Sequence, residues 1–164
     1  MTATPMPREK AHQIVSSLAR GRTISFRVHG TPAPMGSKRH VGNGKMIESS
    51  KAVKPWRQAV ASATVDALPP EGWTPMDGPL GLHVMFIFPR PASHYGTGRN
   101  AGTLKPSAPA YKQSAPDLSK LVRSTEDALT DAGVWRDDAR VAHITTEKTY
   151  GDSPGAVITI RSLT

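Results

Sequence analysis

Residues Leu80–Phe88, read Leu-Gly-Leu-His-Val-Met-Phe-Ile-Phe, restrict the fold of this chain more than any other stretch. With the two-residue period of a strand, Leu80, Leu82, Val84, Phe86 and Phe88 share one face, and Gly81, His83, Met85 and Ile87 share the other. Both faces are largely apolar. Such a strand is expected at the centre of a sheet, covered on both sides. His83 is then expected to be a satisfied core residue rather than a metal ligand.

The flanking segments supply the rest of the sheet and its cover. Thr23–His29 alternates Ile24, Phe26 and Val28 against Ser25, Arg27 and His29, the pattern of a half-buried strand. It runs into a stiff Pro/Gly loop ending in Lys38 and Arg39, and Gly42-Asn43-Gly44 suits a short hairpin across Val41–Ile47. Lys51–Leu68 reads as a helix with an apolar stripe of Trp56, Ala59, Val60, Ala63, Ala67 and Leu68. Pro55 sits early in it, where a missing N–H costs nothing.

Asp117–Ala132 is the stronger helix. Its stripe is Leu118, Leu121, Val122, Thr125, Ala128, Leu129 and Ala132, with Asp117 as N-cap and Gly133 just past its end. Val141–Lys148 and Ala156–Ile160 are expected as two closing strands joined as a hairpin at Gly151–Gly155. The order β-α-β-α-β-β predicts one α+β domain over residues 23–164, with a mixed sheet and two main helices. Residues 1–22, with two early prolines and one weakly apolar helical pattern, are expected to be an N-terminal extension.

Composition narrows the function. The chain has no cysteine, which excludes disulfides and thiolate metal sites. Twenty-one Lys+Arg against 13 Asp+Glu leave a net charge of +8, which favours a polyanionic partner such as nucleic acid. No apolar run is long enough to span a bilayer and the N-terminus lacks the apolar core of a signal peptide, so no membrane association and a cytoplasmic location are expected.

Against this basic background, Asp117, Glu126, Asp127, Asp131, Asp137 and Asp138 crowd into one segment. Hydrolysis of a phosphodiester requires an activated water and neutralisation of the charge that builds on phosphate and leaving group. A divalent cation held by carboxylates does both. Asp117 and Asp138 serve that chemistry only if the fold brings the start of the following strand beside the helix. Otherwise Asp117 caps a helix and Asp137-Asp138 makes a polar turn.

Pro116-Asp117-Leu118-Ser119-Lys120-Leu121-Val122-Arg123, followed by Asp127-Ala128-Leu129-Thr130-Asp131-Ala132-Gly133-Val134-Trp135-Arg136-Asp137-Asp138-Ala139-Arg140-Val141, resembles the RusA family of Holliday-junction endodeoxyribonucleases. Pro32-Ala33-Pro34-Met35-Gly36-Ser37-Lys38 is similar to the family's first loop, and Lys148 and Tyr150-Gly151 to its closing hairpin. The resemblance covers about residues 23–162. It implies a homodimer that acts on four-way junctions with Mg²⁺, or Mn²⁺, held by three aspartates, and a basic residue on the same helix. By position these fall on Asp117, Ser119 and Asp138, with Arg123 as the basic residue.

Ser119 therefore departs from the family at a metal position, because a hydroxyl brings no charge. Glu126, two helical turns and about 10 Å further along, and Asp127 beyond it are too distant to replace it without a bend. Glu126 also stands where the family has an apolar residue. The resemblance thus implies either a working site with altered ligation or a junction-binding protein with an impaired metal site. A basic RNA-binding protein is the reading that the charge alone leaves open.

Candidate DNA contacts are Lys38, Arg39, Lys45, Lys51, Lys54 and Arg57 before and within the first helix, Arg90, Arg99 and Lys105 in the long loop Pro89–Pro116, and Lys120. His94 and Tyr95 lie in the same loop, whose aromatic would stack on an unpaired base. The alternative for each is a solvated basic face.

Overall fold

The structure is a computed structural model that describes residues 21–36, 42–43 and 51–164, and the backbone of 38–40 and 46–48. Lys45 and the side chains of Lys38 and Arg39, all expected to contact phosphate, lie outside the described residues, as does the extension up to residue 20.

Four strands form a mixed sheet: β1 (Thr23–His29), β4 (Leu80–Phe88), β5 (Val141–Tyr150) and β6 (Gly155–Ser162), in the order β1-β6-β4-β5. A separate antiparallel pair joins β2 (Lys38–His40) to β3 (Met46–Glu48), as the glycine-rich turn between them predicts. Two helices, α1 (Val53–Ala67) and α2 (Leu118–Asp131), complete an α+β domain with the expected element order.

The Leu80–Phe88 strand is central as expected, with β6 antiparallel on one side and β5 parallel on the other. Its cover differs from expectation. Both helices pack on the face of Leu80, Leu82, Val84, Phe86 and Phe88, where Trp56, Val60, Leu121, Val122, Ala128 and Leu129 join the same core. The opposite face is only partly covered. Gly81 lies under the Arg161 side chain and Ile87 packs against Gly151, but His83 is exposed, beside His143, Thr145 and Thr159. His83 is therefore not a core residue, because among the described residues no helix crosses that side.

The two closing strands do not form a hairpin either. β4 lies between β5 and β6, so the Gly151–Pro154 connection steps across one strand rather than folding back on its neighbour. Two backbone features make the step possible. The N–H of Gly151 donates to the Phe88 carbonyl at 2.9 Å. Gly155 pairs with His29 so closely that a Cβ there would sit 2.0 Å from the Val28 carbonyl oxygen, which only glycine allows.

Helix α2 shows how local signals and packing divide the work. Its C-terminus closes with Gly133 at φ 72°, the Gly133 N–H on Thr130 and the Val134 N–H on Leu129, a Schellman arrangement legible in the sequence. Asp117 occupies the N-cap position, yet its side chain makes no capping hydrogen bond. Its carboxylate is turned to Lys120 at 3.3 Å. The buried stripe contains Ser124 as well as the expected apolar residues, and Ser124 donates to the Ala33 carbonyl at 2.7 Å. With the Met35 N–H on the Lys120 carbonyl at 2.9 Å, this fixes the first Pro/Gly loop to the start of α2. Among the described residues no helix is long and apolar enough to cross a membrane.

Candidate active site and nucleic-acid surface

The 3-10 turn Asp138–Arg140, which leads into β5, packs on α2. Two devices hold it. Asp137 accepts a hydrogen bond from the Ala139 N–H at 2.8 Å. Asp77, from the segment before β4, pairs with Arg140 at 2.8 Å and Arg136 at 3.4 Å. The Gly78 N–H, ahead of these two arginines, draws the Asp77 carboxyl below its ordinary value. Sequence reasoning missed Asp77, because nothing local connects it with a turn some sixty residues later.

Asp138 meets α2 toward the helix's second half. It lines an open cleft with Arg57, Asp127, Thr130, Asp131, Arg136 and Asp137. Its charge also acts on Glu126, which is nine residues past Asp117, about 13 Å along the helix axis. The far end of β5 is the part that reaches the start of α2. There Lys148 Nζ donates to the carbonyls of Ser114 at 2.7 Å and Pro116 at 2.8 Å, fixing the backbone just ahead of Asp117. Among the described residues no three His, Asp or Glu side chains gather as a metal site. The fold thus brings Asp138 to the middle of the helix and leaves Asp117 and exposed Ser119 at its start.

The acidic side chains of this segment differ in how they are balanced. Arg57 of α1 reaches Asp131 at 2.6 Å and Asp127 at 3.8 Å, clamping the helices together beside the Trp56 Nε1 to Thr125 Oγ1 bond of 3.2 Å. Arg57, a candidate phosphate contact by sequence, is thereby engaged inside the protein. The side chains of Glu126 and Asp138 make neither a hydrogen bond nor an ion pair among the described residues. Burial pushes the Glu126 carboxyl above its ordinary value. Asp138 and Asp127 add to the shift, and Arg123 opposes it. Arg123 itself is exposed and pairs with no carboxylate within 4 Å among the described residues.

The long loop after β4 is an ordered substructure. Arg90 lies over the Tyr150 ring at 4.5 Å and bonds the Pro109 carbonyl at 2.8 Å, while His94 meets the same ring edge-on. Arg90 and His94 therefore brace the loop. Lys105 donates to the Ser93 carbonyl at 2.8 Å from an exposed position, and Arg99 is exposed. Tyr95 is half-buried in a bridge to Leu104, so the aromatic this region presents to solvent is Tyr111, 61% exposed and bridged to Thr149 of β5. Lys51 and Lys54 are exposed at the start of α1, and exposed Lys120 is shared with Asp117.

A comparison with curated proteins returns no match. Residues 29–161, which run from the end of β1 through the helix, the turn and most of β6, match the family of endodeoxyribonuclease RusA. With most of its length matched, including every element that shapes the Asp138 cleft, the chain belongs to the RusA endodeoxyribonuclease family.

Proposed function

We propose that the chain is a structure-selective endodeoxyribonuclease that resolves four-way DNA junctions by divalent-metal-dependent hydrolysis of phosphodiester bonds. The observation that carries this reading is the family match over residues 29–161. The net charge of +8 supports a polyanionic substrate. Two symmetric nicks require two equivalent sites, which a homodimer of two-fold symmetry supplies.

Asp138 fits a divalent cation in its chemistry. Its carboxylate is exposed and has no ion pair among the described residues, and Mg²⁺ is commonly held through one or two carboxylates completed by waters and substrate phosphates. Mn²⁺ suits the same hard oxygens. When bound, such a cation supplies neutralisation of the charge that builds on the reacting phosphate. The protein's own groups have separate tasks. Asp138 is the carboxylate that would hold the ion, whereas Asp117 and Ser119, the other two family positions, stand at the start of the helix, about 10 to 13 Å along its axis from the Glu126 on which Asp138 acts. Arg123, one turn past Ser119 on the same helix face, donates hydrogen bonds to phosphate oxygens. Lys120, Arg99 and Lys105 contact the DNA backbone, with Lys38, Arg39 and Lys45 beyond the first loop. Arg90 supports the loop that presents Arg99 and Lys105. Water is the nucleophile, and the reaction belongs in the cytoplasm during DNA recombination and repair.

Exposed Ser119 favours a second reading, a junction-binding protein whose metal site is impaired. One assay separates the two: nicking of a labelled synthetic four-way junction with Mg²⁺ or Mn²⁺. If the parent cuts and Asp138→Asn does not, the resolvase reading stands. Cutting by Ser119→Asp alone supports the impaired binder. If no variant cuts and none prefers a junction over duplex, both readings fall.

A further inference from the structure

We propose that the uncovered face of the sheet carries a second site for the DNA backbone, in which Arg161, His83 and His143 donate hydrogen bonds to phosphate oxygens. The proposal rests on the nuclease reading only in taking DNA as the polyanion. It goes beyond that reading by placing a contact on the side of the sheet away from both helices.

Strand register puts the three side chains together. Gly81 of β4 pairs with Arg161 of β6 on one side and with His143 of β5 on the other. His83, two residues on, pairs with Thr159 and Thr145 in the same way. Residues two apart on a strand share a face, so both rows lie on the face opposite the core of Leu80, Leu82 and Val84. Arg161, His83, His143 and Thr145 are exposed, and with Thr159 they line a cavity of about 280 Å³. Gly81 is what lets the arginine lie there. A Cβ on Gly81 would stand 3.2 Å from Arg161 Nε and 3.3 Å from its Cγ, so the side chain runs across β4 toward β5.

Charge decides what the cavity takes. The side chains of Arg161, His83 and His143 make no hydrogen bond or ion pair among the described residues. Among those residues no carboxylate lines the cavity. Glu147, the first acidic residue along β5, comes two residues past Thr145, about 7 Å further on. A guanidinium, two imidazoles and two hydroxyls form a donor set for phosphate oxygens. The set spans three strands, about 10 Å, which suits successive phosphates of a strand better than one small anion. A second copy of the chain suits it less, because a two-fold interface centred here would set Arg161 against its own image with no carboxylate between.

The location also suits a nuclease. β5 leads out of the Asp138 turn, and His143 follows Asp138 by five residues, at most about 17 Å of extended chain. That is about five nucleotides of one strand at 3.4 Å each, so DNA engaged at the Asp138 cleft has its next phosphates within reach of this face.

The test is equilibrium binding of a labelled four-way junction, and separately of inorganic phosphate, to the full chain in EDTA over a range of salt. Thermal unfolding and sedimentation are measured for each variant, and nicking for the parent. The variants are Arg161→Gln, Arg161→Lys, His83→Ala with His143→Ala, and Thr145→Glu, which sets a carboxylate inside the cavity. Arg22→Gln is the charge control, because Arg22 lies over the Trp73 ring at 4.1 Å and donates to the Thr74 carbonyl at 2.7 Å. We expect Arg161→Gln and the double histidine variant each to weaken junction binding about tenfold, and Thr145→Glu to weaken it more. Arg161→Gln should also reduce the salt slope by about one, and Arg161→Lys should keep the parent's slope. Arg22→Gln should bind within about twofold of the parent. Parent-like binding and salt slope in folded Arg161→Gln and Thr145→Glu overturn the site, while nicking by the parent still upholds the nuclease reading. If the parent never nicks yet Arg161→Gln weakens junction binding, the site stands without the nuclease. A change in phosphate binding alone would mean a small-anion site, and loss of a dimer present in the parent would assign the face to a second copy. Either result overturns the proposal. If the parent binds no DNA, both proposals fall.

Discussion

Helix α2 and the turn packed on it carry acidic side chains of two kinds, those balanced by an arginine and those that are not. On the flank facing α1, Asp127 and Asp131 share Arg57, and the three side chains form a clamp between helices. Next to this clamp, Asp138 of the following turn lines the same open cleft as Arg57, Asp127 and Asp131, yet neither its side chain nor that of Glu126 makes a hydrogen bond or ion pair among the described residues. The sequence places all four in one acidic segment and gives no hint of the division. What separates structural carboxylates from candidate catalytic ones here is a single arginine, 70 positions earlier than Asp127, that reaches one side of the helix.

The comparison can be broken most sharply at Asp138. Asp138→Asn is expected to lower metal-dependent junction nicking by about 100-fold or more, the scale seen when a group that stabilises transition-state charge is removed. Unfolding measured alongside should shift little, since the Asp138 side chain makes no hydrogen bond or ion pair among the described residues. A nicking rate equal to the parent's would remove the functional side of the comparison.

The clamp side should respond in the opposite way. Arg57→Ala is expected to cost about 1 kcal/mol in denaturant unfolding, at the upper end for partly exposed ion pairs, because two carboxylates lose their shared partner. Metal-dependent nicking should be nearly unchanged. Loss of nicking without loss of stability would mean that Arg57 belongs to the DNA surface, as its sequence position suggested.

Asp77 and Glu126 sharpen the contrast through pH. The folded value of Asp77 is lowered, chiefly by the Gly78 N–H and then by Arg140 and Arg136. Its contribution to stability is therefore present above the ordinary carboxylate value and lost as pH falls through the lowered one. Asp77→Asn should reduce the melting temperature near neutral pH and have little effect in strong acid. Glu126 has the reverse sign. Its raised folded value means that ionisation opposes folding as pH rises through that value. Glu126→Gln should thus raise the melting temperature slightly in metal-free buffer near neutral pH, and not below the ordinary carboxylate range. This is the smallest effect of the set, and a lower melting temperature near neutral pH would contradict it.

Element identity was largely legible from the sequence, because hydrophobic period and turn chemistry are local properties. Thr23–His29 and Leu80–Phe88 appear as strands with the expected bounds, and Gly133 ends α2 as predicted. The family, with the positions of Asp117, Ser119, Arg123 and Asp138, also follows from residues close together in the chain. Strand order did not follow: adjacent strands β5 and β6 invite a hairpin, and only the sheet shows that β4 lies between them. The exposure of His83 depends on both helices choosing one face, which an apolar run on each side of a strand cannot indicate. The same limit applies to the site. Spacing along the chain showed which carboxylates were available. Only tertiary packing decided that Arg57 balances Asp127 and Asp131, that Lys148 holds the backbone before Asp117, and that Asp138 lines one cleft with Arg57 and both of these aspartates. Charge balance acts through space over a few ångströms, and the partners that set it here stand tens of residues apart or across a turn.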